Sequence, residues 1–164
     1  MKKTIFSFIA SALIGIVVNA QSLNRVPPSA GIDFPDGWHK FVEQGATFDV
    51  EVLGKKLVKG NVTWFDQSKY SGSFVGHTIA GNGTYTWSNG QKYEGAFKSN
   101  KRHGWGQMYY TDGARYNGKW KEDKREGKGK MYDKDSNVTQ EGYWSNDEFV
   151  GEKKVKKKKK KKNR

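Results

Sequence analysis

The chain has no cysteine and only three histidines, His39, His77 and His103. Without cysteine it can form no disulfide and has no thiolate for catalysis or metal binding. The histidines share no spacing typical of a metal site, and no serine lies in the local pattern of a nucleophile with its base. The sequence therefore predicts no metal, no cofactor and no enzymatic activity.

The chain also has few apolar runs, and its one long run lies at the N terminus. Residues 1–20 begin with a methionine and two lysines and continue into a mostly apolar stretch over 5–18. This pattern predicts a signal peptide, with cleavage between Ala20 and Gln21 and export to a secreted, periplasmic or cell-surface location. The alternative is an N-terminal membrane anchor, although the run is shorter than the ~20 apolar residues of a spanning helix.

Negative charge is scarce at the C terminus, where residues 152–164 form a polylysine tail. The formal net charge is +13, most of it from this tail, and the rest of the mature chain is nearly neutral. Like charges repel, so we expect the tail to be disordered. It could bind anionic lipid or an envelope polyanion, or it could only keep the chain soluble; nucleic acid is disfavoured because no aromatic residues alternate with the lysines. The candidate polyanion-binding residues are Lys153, Lys154, Lys156, Lys157, Lys158, Lys159, Lys160, Lys161 and Lys162.

Glycine is abundant and recurs at a regular period. Gly72, Gly95, Gly118 and Gly142 lie at the centres of four similar segments and are 23, 23 and 24 residues apart. A second marker, Gly-x-Gly, keeps the same period at 81–83, 104–106 and 127–129. A fixed period in this range predicts a stacked repeat architecture.

Each repeat has the pattern of a β-hairpin. Tyr93, Gly95 and Phe97 alternate with polar or small residues, which predicts a half-buried strand. A polar turn over 98–104 follows, then a second alternating run, and an Asn-Gly or Asp-Gly pair such as Asn89-Gly90 closes the unit. We therefore expect two antiparallel strands per repeat.

The glycine between two aromatics leaves a gap on one face of the sheet. We expect an aromatic ring from the neighbouring strand to lie across this gap, so that the rings form a ladder along that face. The predicted ladder comprises Tyr70, Phe74, Tyr85, Trp87, Tyr93, Phe97, Tyr110, Tyr116, Trp120 and Trp144.

These segments resemble the MORN repeat family over 70–151, in the Tyr-x-Gly-x-Phe/Trp strand, the Lys-Arg-His-Gly of 101–104, the Gly-x-Gly and the closing Asp/Asn-Gly. The resemblance implies stacked hairpins in a scaffold or membrane-associated adaptor, with partner segments docking along the aromatic groove in some members. The last repeat departs from the pattern, since Gln140 replaces the tyrosine and one residue is inserted. Terminal repeats are often atypical, so this unit could cap the array.

The flanking segments complete the predicted fold. Residues 21–45 are expected to form a linker and a short helix, capped by Asp36 and ended by Gly45, over the open end of the sheet. Residues 46–69 match a degenerate leading repeat. The prediction is an all-β chain with a single elongated, twisted antiparallel sheet of about five stacked hairpins.

Paired carboxylates would be the remaining route to hydrolysis. Glu94 and Glu141 occupy equivalent positions two repeats apart. With two strands per repeat and strands ~4.8 Å apart, they should be ~19 Å from each other. Glycoside hydrolysis needs carboxyl groups within roughly 5–10 Å, so this spacing argues against it.

We therefore expect an exported, non-catalytic scaffold that binds a protein partner through a sheet face. The alternative is a peripheral adaptor that the tail holds on an anionic membrane or envelope polyanions. An unpaired terminal strand could also pair end to end with a second copy. Either the aromatic face or the opposite face, where rings alternate with lysines, could bind the partner, and the candidate residues are Tyr85, Trp87, Trp105, Tyr109, Tyr110 and Tyr132.

Overall fold

A computed structural model describes residues 33–43 and 45–152, which form eleven β-strands and no helix. The predicted signal peptide, the linker before residue 33 and the lysines from 153 onward lie outside these residues, so they stay predictions. The strands are β1 Gly37–Glu43, β2 Ala46–Leu53, β3 Lys56–Trp64, β4 Lys69–Gly76, β5 Thr78–Thr86, β6 Lys92–Lys98, β7 Lys101–Tyr109, β8 Arg115–Lys121, β9 Lys124–Tyr132, β10 Val138–Ser145 and β11 Glu148–Gly151.

The strands form one antiparallel sheet in which each strand pairs with its neighbours in the chain. β1 and β11 are the two edges and do not pair with each other, so the sheet is open. Five hairpins follow one another from β2 to β11, and the first of them is the leading repeat at 46–69. The all-β class, the single sheet and the number of hairpins are confirmed.

The helix predicted between Asp36 and Gly45 is wrong, because β1 occupies this segment. β1 pairs with β2 along its whole length without a bulge. His39 and Phe41 are half-buried whereas Trp38, Lys40 and Val42 are exposed, which is the alternation of a strand. A single helix of this length is marginal on its own, whereas pairing with β2 satisfies backbone groups along one side of the segment.

The two strands of a repeat are joined by a two-residue turn. Both residues have positive φ in Ser99-Asn100, Glu122-Asp123 and Asn146-Asp147, as a type I′ turn requires. Asn and Asp tolerate this conformation better than most residues, so they can occupy the second position. The longer turn predicted over 98–104 is wrong, since residues 101–104 already belong to β7.

Alternation along the strands places the aromatic residues on one face of the sheet, called here the core face. All ten residues of the predicted ladder lie in or against its buried cluster, so the ladder is confirmed. Tyr70, Tyr93 and Tyr116 each pack edge-on against the ring four residues later and against the equivalent ring of the next repeat. Tyr93, for example, lies 5.0 Å from Phe97 and 5.4 Å from Trp120 between ring centroids.

A row of glycines crosses the sheet beneath these rings. Gly60, Gly72, Gly83, Gly95, Gly106, Gly118, Gly129 and Gly142 lie opposite one another on eight successive strands. Tyr93 lies over both Gly95, on its own strand, and Gly106, on the next, and a Cβ atom at Gly106 would be 2.2 Å from the Tyr93 hydroxyl. The ring that covers Gly95 therefore comes from the same strand, and the prediction of a ring from the neighbouring strand is wrong there.

Aromatic rings also cover the core face at the two edges of the sheet. Phe34, which precedes β1, packs 5.0 Å from Phe41, and Phe41 stacks 4.9 Å from Phe48 on β2. At the other edge Phe149 packs 5.4 Å from Trp144. In the part of the chain that the structure describes, no helix and no second sheet covers the core face, so the rings bury one another.

Candidate binding surfaces of the sheet

The structure divides the six predicted partner-binding residues between the two faces. Tyr85 and Trp87 lie on the core face, where they are only 3% and 8% exposed, and Tyr110 is half-buried beside them. Trp105, Tyr109 and Tyr132 lie on the opposite face, called here the outer face, and Trp105 is 56% exposed. The outer face therefore holds the rings of this set that are open to a partner.

The outer face has an uneven composition along the sheet. In the three middle rows of this face the residues on β2 to β5 carry no ring, and two lysines are matched in number by two carboxylates; they include Thr47, Asp49, Glu51, Lys59, Asn61, Thr63, Lys69, Ser71, Ser73, Thr84 and Thr86. In the same three rows on β7 to β10, four rings and four cations face a single carboxylate. This second set is called the aromatic patch and comprises Trp105, Gln107, Tyr109, Arg115, Asn117, Lys119, Lys128, Lys130, Tyr132, Glu141 and Tyr143.

Three of the four cations of the aromatic patch lie over its rings. The Arg115 guanidinium is 4.2 Å from the Tyr132 ring centroid. The Lys119 ammonium is 5.8 Å from the Trp105 ring centroid, and the Lys128 ammonium is 5.8 Å from the Tyr143 ring centroid. Among the described residues neither Lys119 nor Lys128 forms an ion pair. Both ammonium groups therefore have no carboxylate partner here to compete with an acidic ligand.

A concavity of about 620 Å³ lies in the aromatic patch over β7 to β10. Its lining combines rings, ammonium groups, an amide and two carboxylates, contributed by Trp105, Asn117, Lys128, Lys130, Tyr132, Glu141, Tyr143 and Glu152. Ligand sites commonly combine apolar walls with a few polar groups in this way, within a volume of roughly 300–1,000 Å³. The geometry can hold an extended acidic segment that carries apolar or aromatic side chains.

One ion pair lies on β6, outside the concavity, and another lies within its lining. The Lys92 ammonium lies 2.7 Å from Glu94, which holds the pKa of Glu94 below its usual value and raises the pKa of Lys92. The Tyr109 hydroxyl donates to Glu94 at 3.1 Å, and burial first, then Glu94, raises the pKa of Tyr109. Lys130 lies 3.0 Å from Glu141, whose hydrogen bond raises the pKa of Lys130.

Glu94 and Glu141 belong to one row of residues that crosses the outer face. Between them the row passes through Gln107, Asn117 and Lys130 on three successive strands. Four strand spacings of ~4.8 Å separate the two carboxylates, as the repeat count predicted. In residues 33–43 and 45–152 no three His, Asp or Glu side chains cluster as metal ligands, and no helix is long and apolar enough to cross a membrane.

A clamp between successive repeats on the core face was not predicted from the sequence. Arg102 is 3% exposed, its Nε donates to Asp123 Oδ1 at 3.2 Å, and its Nη2 donates to the Asp123 carbonyl at 2.7 Å. Asp123 Oδ1 also accepts the Arg102 backbone N–H at 2.9 Å. Arg125 and Asp147 repeat this arrangement one unit later. The sequence does contain a pattern that could have predicted the clamp, because these arginines and turn aspartates recur at the period of the glycines.

The comparison with protein families matches the repeating core of this structure. The model of the MORN repeat matches three consecutive segments, 70–92, 93–115 and 116–138. These three segments are MORN repeats. The hairpins before and after them, β2–β3 and β10–β11, continue the same sheet but are not covered by the match. No curated protein matches the chain.

The match locates the candidate surfaces within the MORN array. The second MORN repeat contributes Trp105 and Tyr109 to the aromatic patch, and the third contributes Lys119, Lys128 and Tyr132. Tyr143, on the uncovered last hairpin, completes the patch. The patch is thus built from two MORN repeats and the atypical hairpin that follows them.

Proposed function

We propose that this chain is a non-catalytic MORN-repeat scaffold that binds a protein partner through the aromatic patch. The observation that carries the proposal is the uneven composition of the outer face. In its three middle rows, the outer face displays hydroxyl and amide side chains with equal numbers of lysines and carboxylates over β2 to β5, but rings and an excess of cations over β7 to β10. Packing of the shared framework does not require this difference, because both halves bury the same kind of residue on the core face.

The chemistry of the patch favours an acidic segment of the partner protein. Four cations and one carboxylate create a positive surface, and complementary charge increases the association rate and specificity. The rings of Trp105, Tyr132 and Tyr143 offer flat apolar area, and aromatic residues and arginine are enriched where interfaces carry most binding energy. Export of the chain, and retention on anionic surfaces by its tail, remain separate proposals from the sequence.

The proposal predicts that reversing two charges in the patch weakens binding of an acidic protein-like ligand. The probe is a fluorescent copolymer of glutamate and tyrosine, titrated against the full chain at about physiological salt, where exposed charges are screened beyond ~8 Å. Lys119→Glu combined with Lys128→Glu should raise the Kd at least about tenfold, equivalent to ~1.4 kcal/mol. The measurement is fluorescence anisotropy.

The matched control carries the same charge change on the other half of the outer face, as Lys59→Glu with Lys69→Glu. This variant should bind within about twofold of the unchanged chain, because only the patch combines cations with rings. Equal weakening by both pairs would mean that net charge alone drives binding and would overturn the proposal. A chain that ends at residue 152 lacks the polylysine tail and so distinguishes binding by the tail from binding by the patch. Loss of binding in that variant would favour the adaptor hypothesis instead.

A further inference from the structure

The two edge strands of the sheet are protected to different degrees against pairing with another chain. β11 has four residues, pairs with β10 across a bulge and is followed by the polylysine tail. Short strands, bulges and lysines are features that keep exposed edges from pairing. β1 has seven residues, contains no proline and pairs with β2 without a bulge. Of these features it has only one, Lys40, so its free edge is open to another strand.

The free edge of β1 presents unpaired backbone groups. Two residues separate β1 from β2, so Glu43 and Ala46 are the first and last residues of a β-turn, which a hydrogen bond between their backbones closes. Successive residues of a strand direct their N–H and C=O groups to opposite edges. The groups of Trp38, Lys40 and Val42 therefore point away from β2, and no strand of the described residues pairs with them.

Large apolar side chains are exposed beside these backbone groups. Trp38 and Val42 lie on the outer face of β1 and are 55% and 64% exposed. Leu53 at the end of β2 and Phe65 after β3 are exposed as well. Single exposed apolar residues are ordinary, but a group of them next to an unpaired strand is typical of an interface.

We propose that β1 pairs antiparallel with β1 of a second copy of this chain, so that the two sheets join into one. The twofold axis lies at Lys40, because this register pairs all seven residues of the strand, whereas an axis one residue away pairs only the five residues 37–41 or 39–43. It forms three hydrogen-bonded pairs, Trp38 with Val42, Lys40 with Lys40 and Val42 with Trp38, and each pair exchanges two bonds.

The side chains in this register complement one another on the outer face. Trp38 of each copy lies opposite Val42 of the other, and aromatic and β-branched residues stabilise each other in such cross-strand pairs. Lys40 meets Lys40 at the axis, and these like charges weaken the pair. Asp49, directly opposite Lys40 on β2, brings a negative charge next to the axis in each copy, so the four charges sum to zero. The same chain therefore supplies both halves of the interface.

This interface lies at the other end of the sheet from the aromatic patch, and the inference does not depend on the proposed function. Where both hold, the paired sheets carry two patches on one continuous face. Two linked sites then bind a partner with repeated acidic segments more tightly than one site does.

The test is sedimentation equilibrium of the full chain over a range of concentrations. One strand pair makes a small interface, so we expect a monomer–dimer equilibrium with a Kd in the micromolar range. Val42→Lys adds a second cation to the free edge and should raise this Kd at least about tenfold. Val150→Lys is the matched control, because Val150 is the exposed valine of the other edge strand, and it should leave the Kd within about twofold. Val42→Pro gives a second variant, since it removes an N–H that faces the second copy and none that faces β2.

A cross-linking experiment locates the axis. The chain has no cysteine, so Lys40→Cys introduces a single thiol that meets its counterpart at the axis, where paired Cα atoms ~5.5 Å apart are within reach of a disulfide. Lys69→Cys, on the outer face of β4 and away from the interface, is the control. Under mild oxidation Lys40→Cys should form a covalent dimer at least about tenfold faster than Lys69→Cys.

Far-UV circular dichroism establishes that each variant keeps its strands. Self-association that Val42→Lys weakens and Val150→Lys does not, together with faster cross-linking at Lys40→Cys, supports the inference. A chain that stays monomeric at every concentration, equal weakening by the two lysine variants, or equal rates of cross-linking would overturn it.

Discussion

At the scale of single residues, the architecture depends on the pairing of one tyrosine with two glycines. Tyr70, Tyr93 and Tyr116 each lie flat over a glycine of their own strand and the opposite glycine of the next strand. The Tyr93 hydroxyl donates to the Ala96 carbonyl at 3.0 Å, so the polar end of the buried ring is satisfied. Any side chain at these glycines would occupy space that the tyrosine already fills.

Gly106→Ala should therefore destabilise the sheet. The new Cβ would be 2.2 Å from the Tyr93 hydroxyl and 2.4 Å from Cζ of the same ring, and Tyr93 is fully buried. Overpacking of a well-packed core costs about 1–3 kcal/mol, and this contact is close enough to reach the upper end of that range. Urea unfolding followed by circular dichroism gives the change in the free energy of unfolding.

A double-mutant cycle identifies the cause of this loss. In a Tyr93→Ala background the ring is gone, so the added cost of Gly106→Ala should fall to less than half of its value in the unchanged chain. An equal cost in both backgrounds would show that strand geometry, not the tyrosine, requires glycine at this position.

Much of this arrangement could be predicted from the period of the glycines, but not which ring covers which glycine. The alternation of Tyr93, Gly95 and Phe97 places ring and gap on one face, and the structure confirms this. A ring from the same strand and a ring from the neighbouring strand are equally compatible with that spacing. The choice depends on how the tyrosine side chain lies along its strand, which the sequence does not specify.

At the scale of strands and turns, the clamp residues connect one hairpin to the next. The turns Ser99-Asn100, Glu122-Asp123 and Asn146-Asp147 each place an Asn or Asp second, and its side chain accepts the backbone N–H of a residue in the preceding repeat. Asn100 accepts from Ile79 at 2.7 Å and Asp123 accepts from Arg102 at 2.9 Å. The turn and the inter-repeat contact are therefore one feature, which a polar turn pattern alone could not reveal.

Asp123→Ala should lower the free energy of unfolding by about 2–3 kcal/mol. The substitution removes the carboxylate that pairs with Arg102, which is 3% exposed, and breaking a buried ion pair costs up to 3–5 kcal/mol. The estimate is smaller because Asp123 is 20% exposed and its carbonyl can still accept from Arg102. Chemical denaturation gives the value.

Two related variants test whether burial determines the size of this effect. Asp147→Ala removes the equivalent carboxylate from a pair that is 18% and 41% exposed, so it should cost about 1 kcal/mol or less. Asp123→Asn keeps an acceptor for the backbone N–H, as Asn100 does naturally, and should fall between the other two. A larger loss for Asp147→Ala than for Asp123→Ala would contradict this explanation.

The fate of the predicted helix shows the limit of local patterns at this scale. Trp38, Phe41 and Val42 fit helical spacing as well as they fit an edge strand, because only Phe41 packs against the core. The free edge of β2 decides between the two, since it offers backbone partners along its whole length. The pairing of this segment with β2 is a tertiary contact, which the seven residues of β1 do not specify on their own.

At the scale of the whole molecule, the described chain has one sheet and a core made of its own rings. Edge-on ring contacts run without a break from Phe74 through Tyr70, Phe97 and Tyr93 to Trp120, and continue to Phe149. Each repeat is thereby stabilised mainly by its neighbours, as in other stacked repeats. Because the repeats depend on one another, ionisation of the buried tyrosine hydroxyls should affect the stability of the whole sheet.

These hydroxyls predict that the sheet loses stability in alkali. Burial raises the pKa of Tyr70, Tyr93 and Tyr116 well above the ordinary value of 10.0. Below pH ~10 the phenols are neutral in both states and their contribution is fully present. As the pH rises through ~10 the unfolded chain releases these protons and the folded chain does not, so stability falls until the folded pKa values are reached.

The loss should approach about 1.4 kcal/mol per pH unit for each of the three tyrosines once the pH exceeds ~10. Urea unfolding at a series of pH values between 8 and about 11 measures the slope, and Tyr116→Phe should reduce it by up to about 1.4 kcal/mol per pH unit because one ionisable group is removed. Tyr109 and Tyr110, whose pKa values burial also raises, add to the slope in the same direction. Lys92 and Lys130, whose raised pKa values act in the same direction, are replaced by Gln in a control series that should keep most of the slope. Ultraviolet absorbance measures the ionisation of the tyrosines directly. If all eight tyrosines ionise near pH 10 while circular dichroism still shows a folded sheet, the rings over the glycine row are open to water, which would contradict their burial.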